Sequence, residues 1–217
     1  MQTVKLVIFD MDGLLFDTER QSFTILRDVA EKEGFRVTLD FYKTLIGISD
    51  VDSKKLFLDE FGESFFEKQV LEKYIVERDR VFAEEGVMTK QGAIELLDTL
   101  DTLGIKRGIA SSSRRDVIRH HLEKSGLLNR FDFYISGTEV ERGKPYPDIF
   151  LEACKIAGVD PKEAIVLEDS LHGLMAASRG DIRCIVIPDL IEPTEEMKNL
   201  AYRICQDLAE VAGLLRQ

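Results

Sequence analysis

The chain has 217 residues, 44% of them hydrophobic and 32% charged, which suffices for one ample core or for a core domain plus a small inserted one. Disordered and fibrous chains are excluded. Asp and Glu number 40 against 29 Lys and Arg, a net charge of −11, so nucleic acid and anionic lipid surfaces are not expected partners.

No apolar run approaches the roughly 20 residues of a bilayer span, and Met1 to Lys5 has no signal-peptide layout. The expectation is a soluble, cytoplasmic protein without a membrane partner. Val4 to Phe9 is a short β-branched apolar run that stops abruptly at Asp10-Met11-Asp12-Gly13, the pattern of a buried parallel strand ending in a polar loop. From Asp17 to Met88 the pattern is helical, beginning with Phe23, Leu26, Val29 and Ala30 on one face. Leu45, Leu56, Phe57, Phe61, Phe65, Phe66, Val70, Leu71 and Tyr74 would form a small core of its own there.

Strand and helix then alternate. Strands are expected at Ile105 to Ser111, Phe131 to Ile135, Ala164 to Leu167 and Cys184 to Ile187. Helical periods precede them at Ile94 to Leu103, Val117 to Leu122 and Ile149 to Ala157, each followed by a glycine (Gly104, Gly126, Gly158) placed as a C-terminal cap. Such alternation predicts a Rossmann-like α/β parallel sheet with right-handed crossovers, formed by residues 1–16 and 89–217, and an inserted α-helical domain at 17–88. Asp189 to Thr194 reads as the one loop near the end. Cys154, Cys184 and Cys205 lack a CxxC pair and are expected to be reduced and mostly buried.

In an open α/β sheet, ligands bind beyond the carboxyl ends of the strands. There this sequence concentrates Asp10 and Asp12, then Ser111, Ser112 and Ser113, then Lys144 near Gly143, then Glu168 and Asp169. A lone Asp-x-Asp is ordinarily a solvated turn, and a lone Glu-Asp pair is ordinarily surface. Four separate stretches converging on one edge are another matter. The carboxylates would repel one another unless a cation sat among them, and hard oxygen donors suit Mg²⁺. A phosphoryl group held there could be attacked in line by a carboxylate. The adjacent His120 and His121 point about 100° apart on a helix and make no paired metal site. His172, beside the acidic pair, and the Phe-rich stretch are likewise not promoted.

The segments VIFDMDGLLFDTE, IASSS, GKPYPDIF and VLEDSLHG, in that order, resemble the four motifs of the haloacid dehalogenase superfamily, and most closely its β-phosphoglucomutase-like phosphatases, which carry a helical cap after the first motif. The resemblance implies Asp10 as nucleophile, Asp12 as general acid and base, and Ser111, with Ser112 and Lys144, as the phosphoryl-binding groups. It further implies a Mg²⁺ site from Asp10, the Asp12 main-chain carbonyl, Asp169 and Glu168, the last directly or through water. A cis Lys144–Pro145 peptide is expected as well.

The implied activity is hydrolysis of a small phosphate monoester, a sugar phosphate or similar metabolite, by a monomeric enzyme. The alternative is a β-phosphoglucomutase interconverting β-glucose 1-phosphate and glucose 6-phosphate. Hydrolysis is favoured, because Asp50 stands where that mutase has a basic residue and Ser22 where it has a His, although Lys54, Lys55 or Arg78 could replace the cations. Receiver domains, non-enzymatic phospho-acceptors, share an acidic pair, Ser/Thr and Lys, but they are shorter and lack the second Asp supplied here by Asp12.

Overall fold

The computed structural model describes residues 3–46 and 50–217, excluding the Asp50 side chain. It divides into two compact units, one of Met1–Asp17 with Val87–Gln217 and one of Thr18–Gly86.

The first unit is built on six parallel strands: β1 (Leu6–Phe9), β2 (Lys106–Ser111), β3 (Phe133–Ser136), β4 (Ala164–Glu168), β5 (Arg183–Val186) and β6 (Arg203–Ile204), in the order β3-β2-β1-β4-β5-β6. β1 and β4 lie at the centre and are buried along their whole length, as near-continuous apolar runs in a parallel sheet require. The strand order reverses between them, the switch point at which such sheets bind ligands. Gly104 and Gly158 cap α6 (Ala93–Leu103) and α8 (Asp148–Ala157) in the left-handed region, and Gly126, with φ of 71°, follows α7 (Arg115–Lys124).

Two expectations need correction. β3 begins at Phe133 because Phe131 instead packs edge-on against Phe9, with ring centroids 5.4 Å apart, while the Asp132 carboxylate accepts from Arg107 N at 2.8 Å. The loop at Asp189 to Thr194 is followed by α10 (Glu195–Leu200) and then by β6, whose two residues are too few to show a period. Backbone bonds from Tyr202 N to Cys184 O and from Cys205 N to Val186 O, both 2.9 Å, hold β6 on the sheet. All three cysteines are buried and unbridged.

The second unit is helical, with α1 (Thr18–Lys32), α2 (Leu39–Lys43), α3 (Asp50–Phe61), α4 (Glu63–Glu67) and α5 (Val70–Glu84). Its centre is an aromatic pile. Phe65, fully buried, stacks on Phe57 and Phe61 at centroid distances of 5.0 Å, and Phe35 and Phe41 close the pile edge-on. Among the described residues no helix is long and apolar enough to cross a membrane.

Candidate functional site

β1 delivers Asp10 to the switch point, where its backbone N–H continues the pairing with β4 by donating to Leu167 O at 3.0 Å. The chain then turns back on itself: Leu15 and Phe16 N–H both donate to Met11 O at 3.0 Å, and Gly13 N–H donates to Phe16 O at 2.9 Å. Gly13 is required twice over, since its φ is +80° and a Cβ there would collide with the Asp169 carboxylate.

Lys144 is the hub. Its Nζ donates to Asp10 Oδ1 at 2.5 Å, to Glu168 Oε1 at 2.6 Å and to Ala110 O at 3.1 Å, with its side chain only 7% exposed. Three donors on the ammonium thus meet three acceptors from three strands. The ring of Phe150 lies 5.1 Å below the charge. The Lys144–Pro145 peptide is cis, and Arg179 Nη1 donates to Pro145 O at 2.6 Å.

Glu168 is equally committed. Its second oxygen accepts from Asp169 N, Ser170 N and Ser170 Oγ at 2.9 to 3.0 Å, and Gly173, on the first turn of α9 (Leu171–Arg179), leaves no room for a Cβ against it. Asp10, Glu168 and Asp169 bring one carboxylate oxygen each within 4.8 Å of one another.

The electrostatics follow from this crowding. Burial, partly offset by Lys144 and aided by the Glu168 and Asp12 charges, pushes the Asp10 carboxyl up to about 7. Burial and the charges of Glu168, Asp10 and Asp189 push Asp169 well above the carboxylate range, against Lys144. Burial would pull Lys144 down, but Asp10 and Glu168 hold it above its ordinary value. A group of acids held this close favours a hard cation among them, and the donor set suits Mg²⁺.

Asp12 sits apart from the triad of acids. Its Oδ2 accepts from Ser113 Oγ at 2.7 Å and, more loosely, from Ser111 Oγ at 3.5 Å; Ser111 Oγ itself accepts from Ser113 N at 3.0 Å. Ser111 is buried, whereas Ser112 is exposed. Ser113 thus makes the shorter of two serine bonds to Asp12, and a run of three serines carries no periodic signal for which of them turn inward. His172 is exposed; His121 is buried edge-on to Phe16, and burial lowers its pKa despite the Asp12 charge.

In the helical unit, buried Ser22 neighbours Tyr42, whose hydroxyl donates to Glu19 Oε2 at 2.9 Å. Burial and the Glu19 charge push the Tyr42 hydroxyl above its ordinary pKa. Of the proposed replacement cations, Lys54 and Lys55 are exposed, and Arg78 pairs with Asp79 at 2.7 Å and lies over the Tyr74 ring. In the stretch Leu45 to Asp50, on which the mutase comparison turns, residues 47–49 and the Asp50 side chain lie outside the described residues.

The chain is 33% identical over 183 residues, 82% of its length and 82% of the other protein, to the phosphorylated carbohydrates phosphatase of Thermotoga maritima. Its fold matches a crystal structure of a haloacid dehalogenase family hydrolase from Deinococcus radiodurans, with a TM-score of 0.84, 22% identity and coverage of 100% of this chain and 97% of that one. The β-phosphoglucomutase of Clostridium difficile shares the fold too, with a TM-score of 0.67, 24% identity and coverage of 96% and 93%. The haloacid dehalogenase-like hydrolase family matches residues 7–187, and with the acids, serine and lysine of its motifs gathered on one sheet edge, the chain belongs to that family.

Proposed function

We propose that the protein is a Mg²⁺-dependent phosphatase that hydrolyses a small phosphate monoester, a sugar phosphate or similar metabolite, through an aspartyl phosphate on Asp10. The observation that carries this reading is Lys144, whose buried ammonium joins Asp10 to Glu168 at 2.5 and 2.6 Å beside Asp169.

Asp10 attacks phosphorus in line, and the bond from phosphorus to the leaving oxygen breaks as Asp12 delivers a proton to that oxygen. Water, giving its proton to Asp12, then attacks the acyl phosphate and releases inorganic phosphate, restoring Asp10. Lys144 and the Ser111 hydroxyl take up charge on the equatorial oxygens. Mg²⁺, held by Asp10, Asp169, Glu168 and the Asp12 main-chain carbonyl, would supply further positive charge to the phosphoryl group. We assign choice of leaving group to the helical unit, read as a cap.

Hydrolysis is preferred to mutase chemistry because a mutase must hold a second phosphate, and buried Ser22, aligned where that mutase carries a His, brings no cation. Phosphate release with Mg²⁺, measured across sugar, nucleoside and glycolate phosphates, tests the reading. Glucose 6-phosphate formed from β-glucose 1-phosphate far faster than phosphate appears would establish the mutase instead.

A further inference from the structure

Lys90 belongs to none of the motifs, yet it sits where the chain leaves and re-enters the α/β unit. There the two crossings run antiparallel: Asp17 N–H donates to Met88 O at 2.8 Å, Lys90 N–H donates to Leu15 O at 2.9 Å, and Phe16 pairs with Thr89 between them. Leu15 and Phe16 are the residues that close the loop bearing Asp10 and Asp12.

The Lys90 side chain reaches out of this ribbon. Its ammonium donates to Asp189 Oδ1 and lies 3.8 Å from Asp17 Oδ1, with side-chain exposures of 16% for Lys90 and 4% for Asp189. Asp189 follows β5, and two residues before it Ile187 N–H donates to Glu168 O at 2.8 Å. The sheet order is β1-β4-β5, so the loops after β1 and β5 flank the loop after β4, which carries Asp169. One largely buried ammonium therefore bonds to the loop after β5 and lies within 4 Å of a carboxylate on the loop after β1.

We propose that Lys90 is a positioning residue that clamps the loops after β1 and β5 on either side of Asp169. An exposed ion pair would do little, but a largely buried one is poorly screened by solvent and holds its members in place more firmly. Catalysis depends on such fixing, since displacements of about 1 Å are enough to slow an enzyme by up to roughly 100-fold. The kinetic half of the proposal rests on the phosphatase reading; the structural half does not.

The competing role for Lys90 is mere charge compensation, and a double substitution separates the two. Phosphate release from p-nitrophenyl phosphate is followed over a Mg²⁺ titration in wild type, Lys90→Arg, Lys90→Met and Lys90→Met/Asp189→Asn, with amide hydrogen exchange on each protein. Clamping predicts that Lys90→Met lowers kcat about tenfold with KM changed less than threefold, and speeds exchange at residues 13–17 and 187–190. Lys90→Arg retains both properties. Lys90→Met/Asp189→Asn regains thermal stability but neither kcat nor protection. Recovery of kcat and protection in that double variant, or unchanged exchange in Lys90→Met, would overturn the proposal. A wild type that releases no phosphate would refute the phosphatase reading while the exchange measurements still decide the clamp.

Discussion

The two units of this chain solve opposite packing problems. The α/β unit buries charge at its active edge, with Lys144, Asp10 and Glu168 nearly inaccessible and every lysine proton taken. The helical unit buries rings, with Phe65 at the centre of a pile whose charged neighbour, the Lys68 ammonium, lies over the ring of Phe35. Aromatic packing tolerates repacking and fails gradually, whereas a buried charge network fails when any member is removed. The contrast teaches that the two units are held by different physics: the edge after β1 and β4 by matched buried charges, the helical insertion by the packing of rings.

The largest expected effect breaks the first side of the contrast. Asp10→Asn should lower phosphate release by more than about 1,000-fold while leaving the circular dichroism spectrum unchanged, because it removes the proposed nucleophile and preserves the shape. Near-normal turnover would remove Asp10 from the mechanism. Lys144→Met should reduce turnover comparably and also destabilise the fold by about 3–5 kcal/mol, since it strands two buried carboxylates; urea unfolding measures the second effect.

Phe65→Ala addresses the other side. A cavity in the pile should cost about 3–5 kcal/mol in stability, visible in the unfolding midpoint, while the rate of p-nitrophenyl phosphate hydrolysis at low temperature changes by less than about threefold. A collapse of activity in the still-folded variant would erase the division of labour between the units.

Titration sharpens it further. Asp10 has its folded pKa raised from 3.8 to about 7, so the folded state holds that proton more tightly than the unfolded chain does. Its contribution is fully present below about pH 4 and is lost as pH climbs through about 7, a loss of up to about 4 kcal/mol. In the absence of metal, the stability advantage of Asp10→Asn over wild type should therefore widen between pH 5 and pH 8, and Mg²⁺ should narrow it. Thermal unfolding in chelator settles this, a constant gap being the contrary result. The smallest effect belongs to the serine run: exposed Ser112→Ala should change kcat by less than about twofold, and Ser113→Ala, which removes a 2.7 Å bond to Asp12, by more.

The α/β edge is legible in sequence because a parallel strand buried on both faces writes itself as an unbroken apolar run, and its end is marked by the first acid, as at Phe9-Asp10 and Leu167-Glu168. Three features were not legible there. β6 is too short to have a period, Phe131 is apolar yet leaves the strand to pack on Phe9, and Ser113 cannot be told from Ser112 by spacing. In the helical unit the spacing found Phe57 and Phe65, but Phe35, in the turn after α1, and Phe41, on the five-residue α2, enter the pile from segments too short for a helical period to single them out.

The glycine on α9 has a consequence for engineering. Replacing a helix-interior glycine by alanine is a common route to thermal stability, worth about 0.5–1 kcal/mol. Gly213, within α11 (Leu208–Leu215), has nothing within 4 Å of where its Cβ would go and should accept that exchange. At Gly173 the added carbon would drive into the carboxyl of Glu168 and, through it, displace the partner of Lys144. The same substitution that strengthens one helix would thus disarm the other, so a design that treats all helical glycines alike would trade turnover for heat resistance without touching a single residue of the four motifs' charged set.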